Sequence, residues 1–386
     1  MTTLIKNAHI KPITSPDLEN ADLLIVDGKI AAIGPDLDAP ADAEIFDASG
    51  CLVTPGLMDA HTHIGLHNEA VRWEGVDINE MSNPVTPEMR AIDGIYPQDE
   101  AFRLAIEGGV TCAVTGPGSA NVIGGTAVAI KLTGNTVDEM ILRDPVGMKI
   151  AFGENPKGCY GQNGRKEPIT RMGVAALLRE ELAKAQRYMN DVDAAEKDPA
   201  KTRPYDFKLE AMLPVMRHEI PLKAHAHRAD DILTAVRVAE EFGVDITLDH
   251  VTEGHLIVDA LVKAGKPVLV GPSLGGKSKH ELKENSFATP GILHHAGLEV
   301  CIITDAPVIP LYHLPLCAGL AVRAGMPMDA AWRAITINPA KVAGVADRVG
   351  SLEVGKDADV AVFNADPLTS IQAKAVQVYV NGVKQL

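Results

Sequence analysis

The stretch KAHAHRADDILTAVRVAEEFGVDITLDH, residues 223–250, decides the reading of the fold. Ile232, Ala235, Val236, Ala239 and Phe242 recur at helical spacing and build one apolar face. Asp230 and Asp231 fall in the first turn, where exposed backbone N–H groups favour acids, and Gly243 stops the helix. Short apolar runs flank it on both sides. A strand, a helix and a second strand in that order imply a crossover between parallel strands.

The plan repeats outward from there. Downstream, HLIVDALVKAG reads as a helix leading to the strand KPVLVGPS, and Thr289-Pro290 opens the helix GILHHAG ahead of the strand LEVCIITDAP. Upstream lie LMDAHTH, GVTCAVTG, GTAVAIKLTG and GMKIAFGEN. With LKAHAH and ITLDH these make eight strand candidates, the number that closes a (β/α)8 or TIM barrel; an open doubly wound sheet is the alternative. A long helical excursion, RMGVAALLREELAKAQRYMNDVDAAEKD and beyond, separates the fourth strand from the fifth. It reads as an insertion over about 156–218 that forms a lobe or a subunit contact.

Both ends of the chain differ from this α/β centre. Residues 1–53 read as short strands broken by turns, with Asp27-Gly28 as a hairpin signal, and residues 350–386 do the same, with Asn381-Gly382. Neither piece is long enough to bury a core alone, so the two are expected to combine into one small β-sandwich that brackets a catalytic barrel at 54–349.

Composition excludes several classes. The 386 residues are 46% hydrophobic and 23% charged, as in an ordinary globular protein. Against 51 acidic residues stand 36 Lys and Arg, a net charge of −15 that repels nucleic acid and anionic membrane. Neither a secretion signal nor a run of spanning length is evident, so a cytoplasmic location is expected. The five cysteines are scattered without C-x-x-C spacing and read as buried thiols. The glycines of GPGSANVIGG lack the G-K-[ST] ending of a phosphate loop and serve turns.

In a barrel, functional groups lie where strands run out at the C-terminal face. Those positions carry metal-competent side chains here: His61 and His63 at the first strand, Glu154 at the fourth, His225 with His227 at the fifth, His250 at the sixth and Asp305 at the eighth. His61 and His63 share a face of their strand, because alternate residues do. Taken singly, each histidine is more often an ordinary core or surface residue. Five strand ends all bearing ligand types point instead to a metal.

HTHIG, HAHR, LDHVTEGH, TDAP, NPAKVAGV and GSLEVGKDADVAVF together resemble the amidohydrolase superfamily, and more narrowly its imidazolonepropionase-like and prolidase-like members, including those with an AFGENPK motif. The likeness covers essentially the whole chain. It implies one or two divalent ions in the barrel mouth, Zn²⁺ being best suited and Fe, Mn or Co also accommodated. His61, His63 and Asp305 would hold the deeper ion; His225 and His250 would hold the second. For the anionic bridge between them the resemblance offers Glu154, the favoured choice, or Lys149 if carbamylated.

The resemblance also implies a reaction. Asp305, with His250 beside it, would manage the proton of an activated water that cleaves a C–N bond in an amide, peptide or cyclic amide. Deamination of an aminated heterocycle would use the same site, and a silent scaffold would be marked by lost ligands. His227, Arg228, Lys157 and His280 are candidate substrate contacts. With Arg165, Lys277 and Lys279, the cationic members of that set make a positive rim suited to a small carboxylate-bearing substrate. A homo-oligomer is expected.

Overall fold

Asp27 and Gly28, both at positive φ (47° and 79°), turn β1 (Thr2–Ile10) and β2 (Leu18–Val26) onward into β3 (Lys29–Gly34) through the mirror-image turn that hairpin twist favours. The computed structural model describes residues 2–162, 167–198 and 200–386. On its other side β1 takes two parallel partners in succession, β4 (Glu44–Asp47) along Thr3–Lys6 and β5 (Leu52–Pro55) along His9–Ile10.

The chain then leaves this sheet for a second one. Gly56 makes the passage: a Cβ there would lie 2.1 Å from Thr111 Oγ1, so the close approach of the two sheets requires glycine. The second sheet contains β6 (Leu57–Thr62), β7 (Val110–Thr115), β8 (Ile123–Lys131), β9 (Ile141–Ala151), β10 (Leu222–Ala226), β11 (Ile246–His250), β12 (Val268–Val270) and β13 (Val300–Ile302), hydrogen-bonded in that order. These are the eight strands read from sequence, in a nearly closed, TIM-barrel-like arrangement.

One expectation about them is corrected. The barrel is not eight parallel units: β8 runs antiparallel to both β7 and β9. A parallel neighbour needs a crossover of a dozen or more residues, and the loop 116–122 is too short to supply one. The remaining neighbours, β6 with β7 and β9 through β13, are parallel.

Among the described residues no ladder joins β13 to β6, the two ends of the sheet. Side chains and loops close this seam. Asp59 on β6 accepts from the Thr304 backbone N–H (2.8 Å) and hydroxyl (2.7 Å), and the His63 N–H donates to the Ala306 carbonyl (2.7 Å). Burial pushes the Asp59 carboxyl up to about 7 even with these donors around it.

After the last barrel helices the chain returns to the first sheet as β14 (Val360–Phe363), β15 (Ala375–Val380) and β16 (Val383–Lys384). β14 pairs with β5, and Asn381-Gly382 (φ 50° and 70°) turns the last hairpin. The terminal segments thus form one continuous eight-stranded sheet with its own apolar cluster, which includes Ile5, Ile10, Leu23, Ile25, Val53, Val360 and Tyr379. The excursion holds two helices packed on each other, Arg171–Lys197 and Phe207–Met216, the first capped by Thr170 and the second by Asp206. Among the described residues no helix is long and apolar enough to cross a membrane. Cys112, Cys301 and Cys317 are buried, whereas Cys51 and Cys159 are only half-buried.

The reversed strand has a structural use. Because β8 runs away from the mouth, its last residue, Lys131, is delivered to the terminal sheet, where Nζ donates to Asp357 (2.7 Å), Asp359 (2.9 Å) and Asn381 (2.5 Å). Asp357 also receives Lys29 (2.6 Å) and Arg348 (2.8 Å). Burial alone would raise the Asp357 carboxyl, but its lysine partners hold it down at about 2, against an ordinary 3.8. A depressed folded-state value stabilises the fold above pH 4 and is lost as pH falls towards 2.

Replacement of Lys131 by Met leaves Asp359 without its cation, while Asp357 keeps Lys29 and Arg348, and we expect a loss of about 3–5 kcal/mol in urea unfolding at pH 7. The difference between this variant and the wild type should shrink as the pH is lowered through that window.

Candidate metal centre

His61 and His63 stand where β6 gives way to its loop. His61 is the penultimate residue of the strand and His63 follows its end, so alternation sends both rings inward. His61 Nε2 lies 3.4 Å and His63 Nε2 3.3 Å from the same atom, Asp305 Oδ1. The three side chains place their ligand atoms within 4.8 Å of one another, and so do His225, His227 and His250. The two groups adjoin: ring centroids are 4.8 Å apart for His61 and His250, 4.3 Å for His225 and His250, and 4.6 Å for His227 and His250.

Strand register alone would not bring His250 there. His225 is paired with Asp249, while His250 is opposite Ala226, so Asp249 rather than His250 occupies the place equivalent to His225. Asp249 points inward, and simple alternation would turn His250 away. Positive φ at His250 (78°) and Val251 (47°) re-aims the ring into the mouth; Asp305 carries the same feature (φ 55°). Left-handed backbone at such residues costs about 1–3 kcal/mol each and persists where the surroundings over-determine it.

Hydrogen bonds fix the rings. His63 Nδ1 is 2.7 Å from the Gly116 carbonyl and His250 Nδ1 is 2.8 Å from the Gly271 carbonyl. A carbonyl only accepts, so Nδ1 carries the proton in both and Nε2 presents a lone pair. His61 Nδ1 meets Asp249 Oδ2 at 2.6 Å, with the same result. Burial, helped by nearby positive charge, lowers the basicity of His61, His225 and His227, and burial brings His250 down to about 3, so these imidazoles are neutral donors at pH 7. Burial would raise Asp305, but His250, His61 and His63 around it hold its carboxyl well below the ordinary range.

A buried cationic and acidic floor lies beneath. Asp249, wholly buried, accepts from His61, from Lys223 Nζ (3.1 Å) and, through Oδ1, from Thr247 (2.9 Å). Burial opposes its charge, yet Lys223 and His61 keep it well below the ordinary carboxylate range. Lys149 Nζ is 3.1 Å from His61 Nε2. Burial lowers its ammonium from 10.5 to about 8, leaving a fraction neutral near physiological pH.

Glu154, the favoured bridging candidate, stands differently from Lys149. Glu154 lies outside both groups of ligand atoms found among the described residues. It opens a helical turn beyond the end of β9, and its backbone N–H is occupied by Glu281 Oε1 (2.5 Å). Gly153 before it has φ 82°, and a Cβ there would sit 2.3 Å from the same Glu281 oxygen. Lys149, deeper in the strand, is in direct contact with His61.

The other predicted contacts fare differently. His227 joins the second histidine group, with Nδ1 2.7 Å from Thr252 Oγ1. Arg228 is held by Asp230 through two bonds (3.0 and 2.9 Å). Lys157 ends the short helix Glu154–Lys157, His280 begins the turn His280–Leu282, and Arg165 lies outside the described residues. Sequence reasoning missed Asp249, Lys223, Asp59 and Asn155. The one available signal was Asp249 beside His250 at a strand end.

A metal fits this constellation on the evidence of its own atoms. Among the described residues, His250 Nε2 and Asp305 Oδ1 are buried without a hydrogen-bond partner, and both face the converging rings. Orphaned buried acceptors of this kind are costly unless an ion or water completes them.

Comparison with known proteins agrees with the geometry. The model of a family described as Amidohydrolase family matches residues 52–384. The chain is 31% identical to amidohydrolase tasK of Hapsidospora irregularis over 99% of its own length, although it spans only 43% of that protein. It is 28% identical to the imidazolonepropionase of Maricaulis maris over 90% of this chain and 88% of that one. The crystal structure of an amidohydrolase from Thermotoga maritima superposes with a TM-score of 0.95 at 42% identity, covering 99% of both chains.

Asp249→Asn keeps the shape but weakens the hold on His61. We expect metal affinity to fall about 10–100-fold, read by competition with a chelator, with the fold retained by circular dichroism.

Proposed function

The chain belongs to the amidohydrolase family, and from that premise we propose that it is a metal-dependent hydrolase cleaving a C–N bond of a small, carboxylate-bearing amide, peptide or cyclic amide. The observation that carries this reading is the convergence of two three-residue ligand groups from separate strand ends on the unpartnered atoms of His250 and Asp305.

His61, His63 and Asp305 would hold one divalent ion, and His225, His250 and His227 a second, with Zn²⁺ the best match to imidazole and carboxylate. Such an ion supplies Lewis acidity, polarising a carbonyl and lowering the pKa of water from 15.7 towards about 7. Asp305, charged and half-enclosed, is positioned to accept the proton of the attacking water and deliver it to the departing nitrogen. The buried rings and the floor beneath them hold that carboxylate still and keep bulk water out.

Lys149 would provide the bridging anion. Its neutral amine would add to CO2, forming an N–C bond and releasing one proton, and the carbamate would put a negative group where an ammonium otherwise stands. The lowered ammonium and the contact with His61 support this assignment over Glu154.

A screen of metal-replete protein against dipeptides, N-acyl amino acids, lactams and aminated heterocycles tests the reading. We expect amine release from at least one carboxylate-bearing class, abolished by chelation and reduced at least about 100-fold by Asp305→Asn. Ammonia release from a heterocycle would redirect the reaction to deamination. Protein purified with only trace metal that gains no activity on reconstitution would sink the proposal. Native mass spectrometry should detect added CO2 in the wild type and none in Lys149→Met.

A further inference from the structure

Lys279 stands apart from the other rim cations because of what holds it. Its side chain is only 26% exposed, and Nζ donates to Asn155 Oδ1 at 3.1 Å. The other end of the same amide, Asn155 Nδ2, lies 3.2 Å from His225 Nε2 and 2.7 Å from Ser119 Oγ. One amide thus joins Lys279 to the second histidine group, which puts Nζ within about 9 Å of His225 Nε2 by covalent geometry.

An ammonium has three donors. Among the described residues Asn155 takes one, and the nearest carboxylate, Glu281 Oε2, is 3.6 Å away, beyond hydrogen-bond reach. Glu281 faces Lys279 as a loose ion pair through Oε2, which is buried and makes no hydrogen bond among the described residues, while its Oε1 accepts from the Glu154 N–H (2.5 Å) and from Arg171 (3.1 Å), which also binds Asp231. This arrangement anchors the loop that carries Lys279 against the turn after β9 and the helix Arg171–Lys197, and it leaves donors of Lys279 free. Arg228, by contrast, is taken up by Asp230.

From this geometry we infer that Lys279 is the specificity-determining residue that receives the substrate's carboxylate. The substrate class narrows accordingly: the carboxylate sits a few bonds from the cleaved C–N bond, as in an N-acyl amino acid or a dipeptide, and not at the far end of a long molecule. The inference rests on the hydrolase reading for its chemistry but concerns a binding step that can be measured without turnover.

Calorimetric titration of the purified full chain with N-acetylglycine and its neutral analogue N-acetylglycinamide tests it, in both metal-free and Zn²⁺-loaded protein. Glycine derivatives carry no side chain that a wrongly shaped pocket would reject. We expect the acid to bind at least ten-fold more tightly than the amide, the preference to vanish in Lys279→Met with amide binding unchanged, and part of it to return in Lys279→Arg. Retained amide binding shows that the variant is folded. Equal binding of acid and amide by the wild type, no binding of the acid, or a preference that survives Lys279→Met would each overturn the assignment. If the preference is found while no C–N cleavage is detected with any substrate, the hydrolase reading fails and the role of Lys279 stands.

Discussion

The carboxylate of Asp249, wholly buried and gripped by His61 on one side and Lys223 on the other, is the interaction on which the mouth depends. A lone charge at that depth would be prohibitively costly, and the lysine and the imidazole make it tolerable only in this geometry. In return the carboxylate fixes the His61 tautomer and the plane of its ring. From His61 the order spreads outward, to Asp305 and Lys149 by direct approach and to His250 by ring contact. A site assembled from four strand ends needs such a fixed point, because loops alone do not hold ligand atoms to fractions of an ångström.

The terminal sheet and the barrel are joined by a second buried ionic cluster, centred on Lys131 and remote from the mouth. Its existence follows from the one strand that breaks the parallel pattern. Had β8 run with its neighbours, its last residue would have reached the mouth and left the carboxylates of Asp357 and Asp359 without it. Departure from ideal barrel topology thus supplies a contact between the two sheets that a regular barrel would lack.

Much of this was legible in the sequence, for identifiable reasons. Hairpin turns at Asp27-Gly28 and Asn381-Gly382 announce themselves because few residues adopt positive φ twice in succession. The helix Ala229–Phe242 follows from its apolar spacing and its left-handed Gly243 cap. What could not be read depends on contacts far apart along the chain. The direction of β8 turned on a loop too short for a crossover, and the aim of His250 on a backbone torsion. Asp249 was invisible as a supporting group because its partners come from two other strands.

The seam between β6 and β13 has a consequence in time as well as in space. Asp59 and Thr304 are 245 positions apart, and the barrel has no backbone ladder across that gap. Bringing such distant segments together carries a loop-closure cost that local elements do not bear, so this junction belongs to the late stage of maturation. A nascent chain still on the ribosome has His61 and His63 in hand but no Asp305 to set against them. The group of His61, His63 and Asp305 is therefore complete only once the eighth strand has been made.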